Sequence, residues 1–487
     1  MGFDVNHNKK LFQNMKKEIL SFLIIIFLVS CQNTGKKKSI NENSDSNSDT
    51  ISTSLSQDVI DETLRSWKAY KQYAWGHDVL KPLSKSYNDW YDEPLYISPI
   101  DAYSTLHLMG LTNEAKEIEN YVVDSLNFDK NVDAKIFEVN IRILGGLLAM
   151  YGLSKNTHVL EKAKDFADRM LPAFDTKTGI PKYWVNLKTG VAKGDTVNVA
   201  EAASYTFEMG ILSYYTKDPK YYKAGKKATL AIYNRRSDIG LIGDIIDVES
   251  GEWVSKSSHI CAGVDSYYEY LYKSYLLFGD PELGEIWDES IKNIHKYLAE
   301  EYDDKLWYAR VDMNTGKQIS SVITLYDAFF PAILSLSGDN DRAMRLQKTW
   351  DWLWNKYGLE PMVYDYKKGK ANYPVYDLNP EIIESSCYLY YLTGDSTYHA
   401  MNEKYWNDIK KYCRTDVAFT SIENVETMKK RDYMPTFFFA ETLKYFFLTF
   451  SRHQKNFTFD EYIFNTEAHQ FKRSKFNKTK AKNRLQF

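Results

Sequence analysis

A short turn that keeps returning constrains this chain more than anything else in it. It reads Gly110-Leu111-Thr112-Asn113, then Leu153-Ser154-Lys155-Asn156, then Thr216-Lys217-Asp218-Pro219. It comes back as Phe278-Gly279-Asp280-Pro281, Ser337-Gly338-Asp339 and Thr393-Gly394-Asp395, with a seventh, degraded copy at Phe450-Ser451. The copies stand about 43 residues apart once and roughly 60 thereafter, a period that marks a repeated supersecondary unit. Each has the same anatomy: a strongly apolar helix stops at a Gly or Lys, and an Asp or Asn then caps an amphipathic helix. The stretch Phe137 to Tyr151 places Phe137, Ile141, Leu144 and Leu148 on one apolar stripe, the spacing of a core-facing helix.

These observations predict an all-α fold: seven helical hairpins forming one domain over residues 58–470. A closed toroid is favoured over an open solenoid, because the first helices lack the polar outer face a solenoid cap needs. Strand signals are confined to loops such as Gly179 to Val199 and Ile239 to Ser255, which predicts short β-hairpins there.

The flanks read differently. Lys16 and Lys17 precede the apolar run Ile19 to Val29, and Leu28-Val29-Ser30-Cys31 closes it. A basic region, a short apolar region and a small residue before a Cys describe a bacterial lipoprotein signal over residues 1–31, with Met15 as an alternative start. The run is shorter than the roughly 20 residues a spanning helix needs. Cys31 is then the lipidated residue, and the protein is expected in the bacterial cell envelope, anchored to a membrane by lipid. Residues 32–57, rich in Ser, Asn, Asp and Lys, read as a flexible tether, and the basic stretch 471–487 as a loose tail. The net charge of -3 over 487 residues offers no basic stripe for a nucleic acid. Three further cysteines, Cys261, Cys387 and Cys413, leave at least one thiol unpaired. A monomer is expected.

Two pairs of residues stand out for chemistry. Glu138 and Arg142 lie four apart, so they share a helix face, and Gly145-Gly146 beside them admits a close backbone. Taken alone this is a buried ion pair. Asn379-Pro380-Glu381 reads as a cap, a Pro at the first helical position and a carboxylate in the first turn, where the helix dipole favours its ionised form. Glu384 follows on the same face. Taken alone this is an ordinary helix start.

The segments that hold these residues resemble glycoside hydrolase family 47, the class I α-mannosidases. They are AWGHDVLKP (74–82), the stretch around Asp101-Ala102, IFEVNIRILGGLL (136–148), GVDSYYEYLYK (263–273), NPEIIES (379–385), FFFAETLKYFFL (437–448) and FNTEAH (464–469). They run in order from about Trp67 to His469. The resemblance implies an (α/α)7 barrel and a calcium-dependent, inverting exo-α-mannosidase acting on α-1,2-linked mannose of mannose-rich oligosaccharides. It also implies roles. Glu138 aligns with the general acid and Glu381 with the general base. Arg142, Glu201, Glu384, Phe437, Glu441 and Glu467 bind the sugar, with Phe437 stacking on it, and Thr466 ligates Ca²⁺ through its hydroxyl and carbonyl oxygens. Some positions depart from the pattern. Thr324 stands where a third catalytic carboxylate is expected, with Asp327 one helical turn later as its substitute. Asn379 replaces an Arg, Met362 and Pro435 each replace a Glu, and Ser104 replaces an Asp. A mannose-binding protein without hydrolysis is therefore the second reading.

Overall fold

The structure, a computed structural model, describes residues 45–452 and 457–487, with side chains from residue 54 onward. Cys31, the signal region and the first part of the tether lie outside the described residues.

The repeated turn does what its chemistry requires. Lys155, Lys217, Gly279 and Gly394 take left-handed backbone conformations with φ of 59°, 63°, 76° and 77°, each ending an apolar helix. The following cap is equally local: Asn156 accepts from His158 N at 3.1 Å and Asp280 from Glu282 N at 3.2 Å. Each turn therefore reverses the chain between a helix buried all round and one buried on a single stripe. In Thr157–Met170 that stripe is Val159, Ala163, Phe166, Ala167 and Met170.

Seven helices form the inner layer among the described residues: Ile97–Leu108, Ile136–Ser154, Thr206–Thr216, Asp265–Phe278, Leu325–Leu336, Glu381–Thr393 and Leu443–Phe450. The outer seven are Asp45–Tyr73, Thr112–Asp124, Thr157–Met170, Lys220–Tyr233, Pro281–Tyr297, Asn340–Tyr357 and Thr397–Cys413. The result is an (α/α)7 barrel. It closes where Thr105 Oγ1 of the first inner helix donates to Ala440 O, just before the last, at 3.1 Å. The seventh outer helix is not downstream of the degraded turn at Phe450-Ser451. It is Asp45–Tyr73, whose Trp67 meets Phe439 edge-on at 5.7 Å and whose Asp58 accepts from Trp406 Nε1 at 2.8 Å. The ring is thus sealed by the two ends of the barrel sequence. The inner helix Ile136–Ser154 is long and apolar enough to cross a membrane, but 72% of it is buried in the barrel, as a core helix should be.

Two expectations about the flanks are corrected. Residues 45–57 of the tether belong to the helix Asp45–Tyr73, which buries Val59, Thr63, Trp67 and Tyr70. The basic tail docks. Phe476 packs at 4.9 Å from Tyr214 and 6.1 Å from Phe278, and Arg484 Nη1 donates to Tyr214 O at 2.7 Å. Ala481 and Leu485 are fully buried.

Short antiparallel sheets sit in the loops that enter the inner helices. Asp133–Lys135, Thr196–Asn198 and Val322–Thr324 each pair with the hairpin that follows the next outer helix. The last hairpin, Tyr462–Phe464 with Gln470–Lys472, pairs Ile463 with Phe471 and presents residues 465–469 to the inner helices. Gly145 and Gly146 make this possible. A Cβ at Gly145 would stand 2.8 Å from Asn465 Nδ2, and one at Gly146 2.5 Å from Ile100 Cγ2 and 3.3 Å from His469 Cε1. Cys261, Cys387 and Cys413 are all buried free thiols.

Candidate active site

The first turns of the inner helices converge on a cavity of about 250 Å³, at the small end of ligand pockets. Its carboxylates are Glu138, Glu201, Asp265, Glu269, Glu381, Glu384, Glu441 and Glu467; Arg142, Phe437 and Thr466 complete the expected set. Nine of the expected site residues thus meet in one place, Glu138, Arg142, Glu201, Glu381, Glu384, Phe437, Glu441, Thr466 and Glu467, and a tenth, Asp327, does not. The last is a correction. Asp327 is 2% exposed and does not line the cavity. Its Oδ1 accepts from Thr324 Oγ1 at 2.7 Å in a capping box, and its Oδ2 accepts from Cys261 Sγ at 3.0 Å. A carboxylate so occupied is turned away from any sugar.

Asp265, the first residue of Asp265–Phe278, lines the cavity where Asp327 does not. Burial pushes it up to about 7, with the charges of Glu269 and Asp327 adding to the effect. The sequence holds a signal for it. Asp265, Glu269 and Lys273 recur every four residues on an otherwise apolar helix, and a buried charged stripe needs a purpose. Lys273 Nζ bonds Glu269 Oε1 and lies 3.9 Å from Glu384 Oε1.

Arg142 is a second hub of the cavity wall. Its Nε donates to Glu138 Oε2 at 3.0 Å, its Nη1 donates to Glu467 Oε1, and Asp101 Oδ2 lies 3.8 Å away. The guanidinium carbon stands 5.3 Å from the Trp90 ring and 5.7 Å from the Phe437 ring, so a single cation orients both an acid and the stacking face. Arg142 and Glu441 each lie in a π-helical turn, Asn140–Leu144 and Phe438–Thr442. The extra residue in such a turn re-aims a side chain at a functional site.

Electrostatics reverse one reading of the sequence. The helix dipole at Glu381 does not dominate: burial pushes its carboxyl up to about 8, and Glu384 and Asp265 push the same way. Glu381 Oε2 has no hydrogen-bond partner among the described residues, and Asn379 Nδ2 reaches Oε1 at 3.5 Å. Asn379 is neutral, so no cation offsets the burial. Glu201 is pushed up to about 6 and Glu384 to about 7, both by burial first. Glu441 and Glu467 are raised as well, burial leading and each carrying the charge of neighbouring carboxylates. This packing of acids around the end of the last hairpin is what a cation relieves. Thr466 stands there, its N–H donating to Tyr270 Oη at 3.3 Å, in a loop shaped by Asn465, which accepts from Glu467 N at 3.1 Å and His469 N at 2.8 Å. Among the described residues no three His, Cys, Asp or Glu side chains converge as metal ligands. The donor chemistry that remains is the neutral oxygen of Thr466 with water, which suits calcium and not zinc.

Comparison with known proteins agrees with this geometry. The sequence profile described as "Glycosyl hydrolase family 47" matches residues 62–473. The ER degradation-enhancing alpha-mannosidase-like protein 2 of Mus musculus is 36% identical over 442 residues, 83% of this chain and 75% of its own length. The endoplasmic reticulum mannosyl-oligosaccharide 1,2-alpha-mannosidase of Homo sapiens is 35% identical over 443 residues, 84% of this chain and 63% of its own. Among solved structures, an alpha-1,2-mannosidase from Trichoderma reesei matches with a TM-score of 0.78 at 27% identity, covering 86% of this chain and 99% of that one.

Proposed function

Since the chain belongs to glycosyl hydrolase family 47, and is therefore a glycoside hydrolase of the α-mannosidase type, we propose that it removes terminal α-1,2-linked mannose from mannose-rich oligosaccharides. The single observation that carries this reading is the meeting of Glu138, Asp265 and Glu381, from three different inner helices, in one small cavity that also holds Phe437. Hydrolysis with inversion needs a proton donor on one side of the glycosidic bond and a base for water on the other. Glu381 acts as the base in its ionised form, which a cation held among the neighbouring acids would favour over the protonated form. Glu138 acts as the acid, held by Arg142 and delivering its proton through a water, while Asp265 stands in the same cavity wall with its carboxyl raised by burial. The limited cavity volume supports exo action on a chain end.

Calcium belongs to the proposal. Thr466 would hold it, and the bound ion would supply a grip on sugar hydroxyls and positive charge among the acids. The chain's own residues do the rest: Phe437 stacks on the ring, and Arg142 fixes Glu138 and Glu467. Binding without hydrolysis is the weaker reading, because it depends on the carboxylate missing at Thr324, and the cavity wall carries a carboxyl at Asp265. Anchoring through Cys31 to a bacterial envelope membrane remains part of the proposal; Cys31→Ser should move the protein to the soluble fraction.

The test is the purified protein with α-1,2-mannobiose, with calcium and with chelator. Mannose should be released with calcium, and Glu381→Gln should lose about 10²–10⁴-fold in turnover, the usual share of one acid–base group. Unchanged turnover in that variant contradicts the assignment.

A further inference from the structure

Behind the cavity wall lies a buried polar cluster that the reaction does not use directly. It joins the start of the inner helix Leu325–Leu336 to the loop 259–264, which leads into Asp265–Phe278. Asp327 Oδ1 accepts from Thr324 Oγ1 at 2.7 Å and from Thr324 N at 3.3 Å. Thr324 Oγ1 in turn accepts from Ala262 N at 3.4 Å. Asp327 Oδ2 accepts from Cys261 Sγ at 3.0 Å. Cys261 N donates to His259 Nδ1 at 3.1 Å, and His259 Nε2 faces Asp244 Oδ2 at 3.2 Å. The loop is held on its far side too, where Ala200 N donates to Gly263 O at 2.9 Å. The decisive contact is the last one: Cys261 O accepts from Val264 N at 3.1 Å and Asp265 N at 3.3 Å. An unbroken run of hydrogen bonds therefore leads from the Asp327 carboxylate, through Cys261, to the residue that begins the helix in the cavity wall.

We infer that Asp327 is a positioning residue: by gripping Cys261 and Thr324 it fixes the loop 259–264, and through it the place of the Asp265 carboxyl in the cavity. The geometry also explains how the chain does without a carboxylate at position 324. Thr324 Oγ1 donates a hydrogen bond to the Asp327 carboxylate one turn later, so that acid is held behind the wall while Asp265 lines the cavity. The alternative is that Asp327 only caps the short first turn of its own helix. Capping alone would stabilise the helix without touching Asp265.

The inference rests on the α-mannosidase reading for its kinetic arm and not for its structural arm. The full chain is compared with Asp327→Ala, Asp327→Asn, Cys261→Ala and the double variant Asp327→Ala/Cys261→Ala. Three quantities are measured: kcat and KM on α-1,2-mannobiose with calcium, melting temperature, and the rate of Cys261 alkylation in the native protein, mapped by mass spectrometry. Cys387 and Cys413, buried elsewhere, serve as internal controls. Asp327→Ala should lower kcat by about 10–100-fold, the range a misplaced catalytic group costs, while KM moves much less. It should also raise Cys261 alkylation well above that of the two controls. Asp327→Asn keeps an oxygen for Thr324 and should recover most of kcat. Cys261→Ala should lose part of kcat, and the double variant should be no worse than Asp327→Ala, since both break one path. A folded Asp327→Ala with wild-type kcat and a protected Cys261 overturns the inference, as do losses that multiply in the double variant. Should Asp327→Ala fail to fold, wild-type kcat in Cys261→Ala overturns it instead. If the wild type hydrolyses nothing, the mannosidase reading fails on its own, and Cys261 alkylation still decides whether Asp327 holds the loop.

Discussion

Replacing Glu381 with Gln should change how the stability of the barrel responds to pH. The carboxyl is pushed up to about 8 by burial, while an unfolded chain holds it near 4.5. A carboxyl raised in the folded state lends stability that is complete below about 4.5 and is lost as pH rises through about 8, because only the folded state keeps the proton in that window. The gap corresponds to at most about 5 kcal/mol at 1.36 kcal/mol per pH unit. Water reaching Glu381 through the cavity screens part of it, so about 2 kcal/mol is the lower bound. Gln carries no such proton. For a barrel this large, at roughly 2.1 cal/mol/K per residue, ~1 kcal/mol moves the melting temperature by ~1 °C. The melting temperature of the wild type should therefore fall by about 2–5 °C more than that of Glu381→Gln between pH 4.5 and pH 9. Thermal unfolding followed by circular dichroism, in chelator so that no cation neutralises the acids, reads this directly. Parallel curves, or a wild type that gains on the variant as pH rises, would refute the claim that burial raises the Glu381 carboxyl in the folded state.

Other outcomes follow from single contacts. Phe476→Ala should cost about 3–5 kcal/mol, because it empties the seat between Tyr214, Tyr215 and Phe278, and a lower denaturation midpoint in urea would report it. Gly146→Ala should cost about 1–3 kcal/mol, since its Cβ would press to 2.5 Å of Ile100 Cγ2 and 3.0 Å of Ile100 O, and melting would register it. Calcium at one hundred times its dissociation constant should stabilise the protein by about 2.7 kcal/mol, and Thr466→Val, which keeps the carbonyl but loses the hydroxyl, should reduce that gain; equal melting with and without calcium in the wild type would argue against the site.

The barrel was legible in the sequence because it repeats. Left-handed stops at Lys155, Lys217, Gly279 and Gly394 and caps at Asn156 and Asp280 are local chemistry, and local chemistry is written locally. Ring closure is not local. That Asp45–Tyr73 supplies the seventh outer helix depends on Trp67 meeting Phe439, more than 350 positions away in the chain. The docked tail was hidden for a similar reason: Lys and Arg dominate its composition, while Phe476, Ala481 and Leu485, spaced four or five apart, do the packing. At the site, the resemblance to glycoside hydrolase family 47 pointed to the nine side chains that meet in the cavity, Glu138 to Glu467, whereas residue types and helix faces alone gave only an ion pair and a helix start. Asp265 was passed over because its motif offers three charged candidates on one face and only the fold shows that Asp265 and Glu269, not Lys273, line the cavity. The proton affinity of Glu381 was not legible, because a dipole is visible from a helix start, whereas burial is a property of all the walls together.

The most direct measurement of the central claim is the anomeric form of the first product. α-1,2-Mannobiose is mixed with the calcium-loaded protein, and proton NMR is recorded before the sugar mutarotates. If Glu381 activates a water on one face while a proton arrives on the other, β-mannose appears first and α-mannose grows in only by mutarotation. Release of α-mannose first would mean a covalent intermediate and a different use of these carboxylates, and no release at all would remove the reaction from this site.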